Sequence, residues 1–144
     1  DIRVRPGDRL PGIARRTFKL RGERAFGDAG DVGLTLLAQG GTHARGDENN
    51  ADANGRVPGF VLVNLDARLH LGAGWDAFAD VDNLFDRRSS SFGMLGRNVF
   101  TGPGRSFDAT GASWRSEQFR AAGAPRGIWV GLTWRFGAAA AETP

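Results

Sequence analysis

The sequence predicts an all-β fold, an antiparallel transmembrane β-barrel segment of about five strands belonging to a larger barrel, on three observations. Apolar and polar residues alternate with a period of two over several stretches of roughly ten residues. Glycine-rich turns punctuate those stretches. The connections between them alternate short and long.

The first strand is expected from Arg15 to Phe26, with Phe18, Leu20 and Phe26 on one face and Arg15, Thr17, Lys19, Arg21 and Glu23 on the other. Arg24 interrupts the apolar face near the strand end, where its long stem can carry the charge to an interface. After a turn around Asp28 to Gly30, the return strand sets Val32, Leu34, Leu36 and Ala38 against Thr35 and Gln39. The clearest alternation runs from Phe60 to Leu71. There Val61, Val63, Leu65, Ala67, Leu69 and Leu71 alternate with Asn64, Asp66, Arg68 and His70, and only a period of two sorts them. Gly72, Ala73 and Gly74 make a tight turn into a fourth strand reaching to about Phe85, in which Trp75, Ala77, Ala79 and Val81 alternate with Asp76, Asp80 and Asp82. Pairing Leu71 with Trp75 sets Val81 opposite Leu65, so the apolar positions of this hairpin share one side. The last strand, Ile128 to Phe136, sets Ile128, Val130, Leu132, Trp134 and Phe136 against Gly131, Thr133 and Arg135, with Trp129 as the exception. Two aromatics at the end of its apolar face suit a membrane interface.

Alternation alone does not separate a membrane barrel from a soluble sandwich. The connections favour the barrel. They span about three to five residues at Gly27 to Asp31 and Gly72 to Gly74, but about sixteen from Thr42 to Val57 and about forty from Arg87 to Arg126. Short periplasmic turns and long extracellular loops give this asymmetry. Asp66, Arg68, Asp80 and Asp82 are then expected to line a wet lumen or face a plug, while the aliphatic faces meet lipid. Five strands do not close a barrel, so the segment is expected to need further strands and not to be stable alone.

No apolar run reaches the roughly 18 residues of a membrane helix. The 144 residues include no cysteine, which excludes a disulfide framework and a thiolate metal site. The net charge of +3 is carried by arginine, Lys19 being the only lysine, and no nucleic-acid partner is expected from it. The chain begins at Asp1 without an initiator methionine or export segment, so upstream sequence is expected.

Val81, Asp82, Asn83, Leu84, Phe85 and Asp86 resemble the strand end and loop start found near the C-terminus of TonB-dependent outer-membrane receptors. Further segments agree in order: Pro6 through Ile13, Arg45 through Asn50, Phe92 through Gly96, Phe100 through Gly104, Gly123 through Arg126, and the closing Trp134, Arg135 and Phe136. The resemblance covers residues 1–136, and residues 137–144 read as a disordered, alanine-rich tail. It implies a barrel of roughly 22 strands in the bacterial cell outer membrane, with an N-terminal plug inside it. It also implies active import of a scarce extracellular ligand, such as a ferric siderophore or cobalamin, driven by the TonB energy-coupling protein. Outer-membrane lipid, the plug and the remaining barrel strands are the other implied partners. The chain departs from the family pattern at Ser89, where tyrosine is usual, and after Phe136, where Gly137 to Pro144 follow the usual terminal phenylalanine.

The expected chemistry is binding, with no catalytic residue, cofactor or metal. Arg97, Arg105, Trp114, Arg115 and Arg120 in the last long loop combine cations with an aromatic ring, a set suited to a planar anionic ligand such as a ferric chelate. An ordinary polar loop has the same composition. Asp47 to Gly55 invites a calcium reading, with Asn50, Asp52, Asn54 and Gly55 at EF-hand-like spacing, but Val61 stands where the final glutamate is required. A solvated loop is therefore expected. A hydrolytic set drawn from His43, Ser89 to Ser91 and Asp86 needs side chains within hydrogen-bond reach of one another. His70 is expected to be a lumen side chain near the periplasmic end. The alternatives to a receptor are another outer-membrane barrel, a passive pore or a barrel enzyme, and a soluble β-sandwich binding module.

Overall fold

A computed structural model describes residues 3–136; the tail expected over residues 137–144 lies outside the described residues. The fold is all-β with antiparallel sheets. Its strands are β1 (Thr17–Ala25), β2 (Gly30–Gln39), β3 (Phe60–Gly72), β4 (Trp75–Asp82), β5 (Ser90–Asn98), β6 (Arg115–Ala122) and β7 (Gly127–Trp134). Single 3-10 turns occupy Gly27–Ala29 and Pro103–Arg105. The described residues form no closed barrel.

The chain divides into two units. The sheet unit, Phe18–Ala38, Val61–Arg87 and Ala124 onward, carries most of a five-stranded sheet in the order β1-β2-β3-β4-β7. These are the five strands expected from the alternation. Leu65 pairs with Val81, Ala67 with Ala79 and Leu69 with Ala77, in the expected register. Near the turn the register differs: Trp75 pairs with Gly72 rather than Leu71, and an irregularity lies between His70 and Gly72. The cause is a two-residue turn. Ala73 and Gly74 both take positive φ, 49° and 80°, as tight hairpins require to follow the strand twist. β4 also stops earlier than expected, at Asp82, because Asn83 enters the left-handed region at φ 51°.

β7 extends the hairpin register, with Ile128 on Val81, Val130 on Ala79, Leu132 on Ala77 and Trp134 on Trp75. Three strands thus present their apolar side chains on one face. At the turn end of that face Trp75 and Trp134 stack with ring centroids 5.3 Å apart, and Phe136 lies 4.1 Å from Trp134. That face is bare. Val130 is 76% exposed and Ile128 63%, and no hydrophobic side chain of the sheet unit is buried among the described residues. The buried side chains of this unit are polar, Asp76 at 9% and Asn83 at 4% exposure.

Gly33 in β2 is buried because an ion pair crosses over it. The Arg21 guanidinium of β1 reaches Asp66 of β3 through two hydrogen bonds, 2.6 Å and 2.9 Å. A Cβ at Gly33 would stand 2.5 Å from Asp66 Oδ2 and 2.6 Å from Arg21 Nη2. Gly33→Ala is therefore expected to break the pair and to lose about 1 kcal/mol, whereas Gly22→Ala, with open space around it, is expected to gain about 0.5 kcal/mol. Denaturant melts of the two variants, compared with the parent chain, check the sign of each.

The loop unit comprises the chain up to Thr17, Gln39–Phe60 and Arg88–Gly123. Its core is small: Ala44 and Val57 are the buried hydrophobic residues. A Thr42–Val57 bridge closes the first long connection, and an Arg45–Met94 bridge ties it to β5. The stretch from Arg87 to Arg126, expected as a long loop, instead contains the β5–β6 hairpin, with Met94 opposite Phe119 and Leu95 opposite Gln118. Its strands lack the apolar alternation of the sheet because so small a core demands little apolar surface. At Gly93, which a Cβ would bring to 2.4 Å from Val57, β5 packs without a side chain at all.

Candidate ligand-binding loops and the polar sheet face

Asp108 organises the connection between β5 and β6. Its carboxylate accepts the backbone N–H of Thr110 at 2.9 Å and of Ser113 at 3.0 Å, and both hydroxyls, at 2.5 Å and 2.6 Å. These bonds, from Ser113 first and then Thr110, hold the Asp108 carboxyl far below the usual carboxylate range. The Trp114 indole N–H donates to the Asp108 carbonyl at 2.8 Å, so the same turn fixes the ring. Arg97 then lies over that ring, 5.7 Å from its centroid, within cation–π range.

A groove of about 770 Å³ runs beside this pair, lined by Gly46, Leu95, Arg97, Trp114 and Arg115. Strand alternation puts Arg115, opposite Asn98, on the other face of the hairpin from Arg97. There Arg115 donates to Glu117 at 2.5 Å and Asn98 donates to the same carboxylate at 2.8 Å. Asn98, followed by Arg115, holds the Glu117 carboxyl below its ordinary value. Of the five loop residues expected to meet ligand, the structure brings together Arg97, Trp114 and Arg115. Arg105 ends the 3-10 turn and Arg120 donates to Gln118 at 2.6 Å; neither lines the groove. Asp108 was not among the expected residues, although an aspartate ahead of Thr110 and Ser113 carries the signature of a side-chain-closed turn.

A depressed carboxyl stabilises the turn fully at neutral pH and loses that contribution only as pH falls through its own low pKa. The Trp114 indole N–H resonance is accordingly expected to hold its position from pH 7 down to about pH 4 and to move only in stronger acid. Asp108→Asn is expected to shift it already at pH 7. A resonance that moves with a normal carboxylate titration would contradict the assignment.

The acidic loop is occupied with its own backbone. Asp47, buried, accepts the Asp52 N–H at 2.9 Å, and His43 Nδ1 lies 2.7 Å from its other oxygen. Asn50 exchanges two hydrogen bonds with the Arg9 backbone, 2.6 Å and 2.9 Å, and Asp52 accepts the Asn54 N–H at 3.2 Å. The groups aligned for a calcium loop thus bind protein N–H donors. Nor does the structure assemble the hydrolytic set: His43 takes Asp47 as its acid, while Asp86 accepts the Arg126 N–H at 3.0 Å and the Ser89 carbonyl accepts that of Gly123.

On the polar face of the sheet, Asp66, Arg68 and Asp80 line a groove of about 580 Å³ together with Arg21, Phe78 and Thr133. Asp66 and Asp80 stand directly opposite one another in register, an unfavourable like-charge pair that Arg21 relieves by clasping Asp66. Asp82, grouped with them in the sequence, lies outside this groove, opposite Gly127 at the end of β4. A second network holds Asp76, with His70 Nδ1 at 2.5 Å on one oxygen and the Arg135 guanidinium on the other. The third explains the residues around Asn83. Its side-chain amide donates to the carbonyls of Arg87 at 3.0 Å and Ala124 at 3.1 Å, and its carbonyl accepts the Arg87 N–H at 2.8 Å. Together with the Asp86–Arg126 bond, this knots the exit of β4 to the segment leading into β7.

Scans against protein-family models, curated proteins and solved structures found no match. The fold and its surfaces define a class: an antiparallel all-β chain whose sheet is ion-paired on one face and bare and apolar on the other.

Proposed function

We propose that the chain is a wall segment of a bacterial outer-membrane β-barrel receptor of the TonB-dependent kind, which takes up a scarce ligand such as a ferric siderophore or cobalamin. The observation that carries this reading is the inverted sheet, with exposed Val130 and Ile128 on one face and buried or ion-paired Asp76, Asp66 and Arg21 on the other. In a bilayer the apolar face is solvated by lipid and the polar face by a water-filled lumen. A soluble sandwich would need its apolar face covered, and among the described residues Val130 and Ile128 on this face are exposed.

The free edges of β1 and β7 would pair with further strands of the barrel. The long connections then serve as extracellular loops, and the Arg97–Trp114 groove offers a cation and a flat aromatic surface to an anionic, planar ligand. The work is binding followed by plug movement, and Arg68 and Asp80, which line the polar groove, would be the residues a plug meets. Energy would arrive through the TonB coupling protein acting on that plug. Ordered segments resembling the receptor family favour it over a passive pore. A plug of about a hundred residues upstream would support the receptor, whereas a short lead into about eight to eighteen strands would favour the pore.

The four tryptophans test the membrane reading. Trp75 and Trp134 stack at the turn end of the apolar face, Trp129 lies opposite Asp80, and Trp114 belongs to the loop unit. In versions of the complete barrel that keep one of these four as the sole tryptophan, reconstituted into liposomes, brominated acyl chains are expected to quench Trp75 and Trp134 several-fold more than Trp129 or Trp114. Equal quenching of all four, or none, would sink the proposal.

A further inference from the structure

Four arginines of the loop unit, Arg9, Arg15, Arg16 and Arg56, line one cleft of about 320 Å³. Its floor is the Gly40–Gly41 backbone, to which Arg56 donates a hydrogen bond at the Gly41 carbonyl. The Gly40 N–H in turn donates to the Arg16 carbonyl at 2.9 Å, which holds the two sides of the cleft together. No carboxylate lines it, and none of the four arginines takes part in an ion pair among the described residues. Convergence of like charges without a counter-ion is unfavourable, and a bound anion reverses the sign of that interaction.

A second cleft, of about 430 Å³, adjoins the first and shares Arg9 and Arg15 with it. This one is apolar in character, with Leu10 72% and Ile13 63% exposed. Guanidinium groups match phosphate oxygens two at a time, and exposed aliphatic side chains beside them match hydrocarbon. From this juxtaposition we infer that the paired cleft binds a phosphorylated amphiphile, its phosphate among the four arginines and its acyl chain along Leu10 and Ile13. The inference uses the loop unit alone and stands whether or not the sheet is a barrel wall.

The full chain in a non-ionic detergent, titrated by calorimetry with dihexanoyl phosphatidic acid, inorganic phosphate and dihexanoyl phosphatidylcholine, tests it. Phosphatidic acid is expected to bind saturably, phosphate at least tenfold more weakly, and phosphatidylcholine not at all. The double variant Arg9→Gln, Arg15→Gln is expected to weaken phosphatidic acid and inorganic phosphate at least tenfold each; among the described residues neither side chain makes a hydrogen bond or an ion pair, so folding should survive. Leu10→Ser with Ile13→Ser is expected to bring phosphatidic acid down to the level of phosphate and leave phosphate unchanged. Absence of saturable phosphate binding, or affinity indifferent to the arginine variant, would overturn the site. Phosphate binding as tightly as phosphatidic acid would overturn the acyl-chain arm and leave a free anion as the occupant.

Discussion

On the proposed reading, Val130→Arg is expected to lower the stability of the complete lipid-reconstituted barrel by about 2–4 kcal/mol, the cost of a charged side chain near the midplane on the lipid face. Val130 lies in mid-strand, opposite Ala79, which in turn pairs with Ala67, and it is 76% exposed. In water the same substitution would remove exposed apolar surface and place a charge where solvent already reaches, with an effect within about 0.5 kcal/mol. Thr133→Arg, on the polar groove with Asp80, is expected to change little in either setting. Denaturant titration of the variants in lipid vesicles therefore separates the two readings of the sheet. If Val130→Arg is as stable in lipid as Thr133→Arg, the apolar face does not meet hydrocarbon.

Asn83→Ala is the second large expectation, a loss of about 2–4 kcal/mol. Two effects combine. The substitution removes three side-chain hydrogen bonds at a buried position, leaving the Arg87 N–H and the Ala124 carbonyl without that partner. It also places a residue with no compensating local bond at φ 51°. Asn83→Gly relieves the backbone part alone and is expected to recover about 1 kcal/mol. Asn83→Asp keeps the acceptor but turns an oxygen toward two carbonyls, so it should be at least as harmful as alanine. Melts of the three variants give their order directly, and an alanine variant within 0.5 kcal/mol of the parent would remove Asn83 as the tie between β4 and β7.

What could be read from the sequence follows from what each element buries. In β3 from Leu65 to Leu69 and in β4 from Ala77 to Val81 every second residue points to one face, so strands, hairpin and most of the register are legible. Only the last pair slipped, because the backbone of the turn, not the alternation, decides between Leu71 and Gly72 as the partner of Trp75. β5 and β6 were invisible for the opposite reason, since they pack against a core of two small hydrophobic residues and carry no periodic apolar signal. The loop arginines were grouped by composition, and strand alternation parted Arg97 from Arg115. Arg9, Arg15 and Arg16 lie close together in sequence, but Arg56 stands forty residues on, at the end of the connection that the Thr42–Val57 bridge closes, and only the fold adds it to them. Asn83 stood within a recognisable segment, but its positive φ and its reach to Ala124 belong to the folded backbone.

The stacked Trp75 and Trp134 act as a mark on a ruler. From Leu71, beside that stack, back to Val61, β3 advances ten residues, about 33 Å at the rise of an antiparallel strand. At the tilt of about 45° typical of barrel strands, this length spans about 23 Å along the membrane normal, close to the roughly 25 Å apolar band of outer-membrane barrels. As part of the proposed barrel, a sheet of these dimensions would fit a thin bilayer and force a thick one to pinch, so hydrocarbon depth alone would sort it toward the thinner of a cell's membranes.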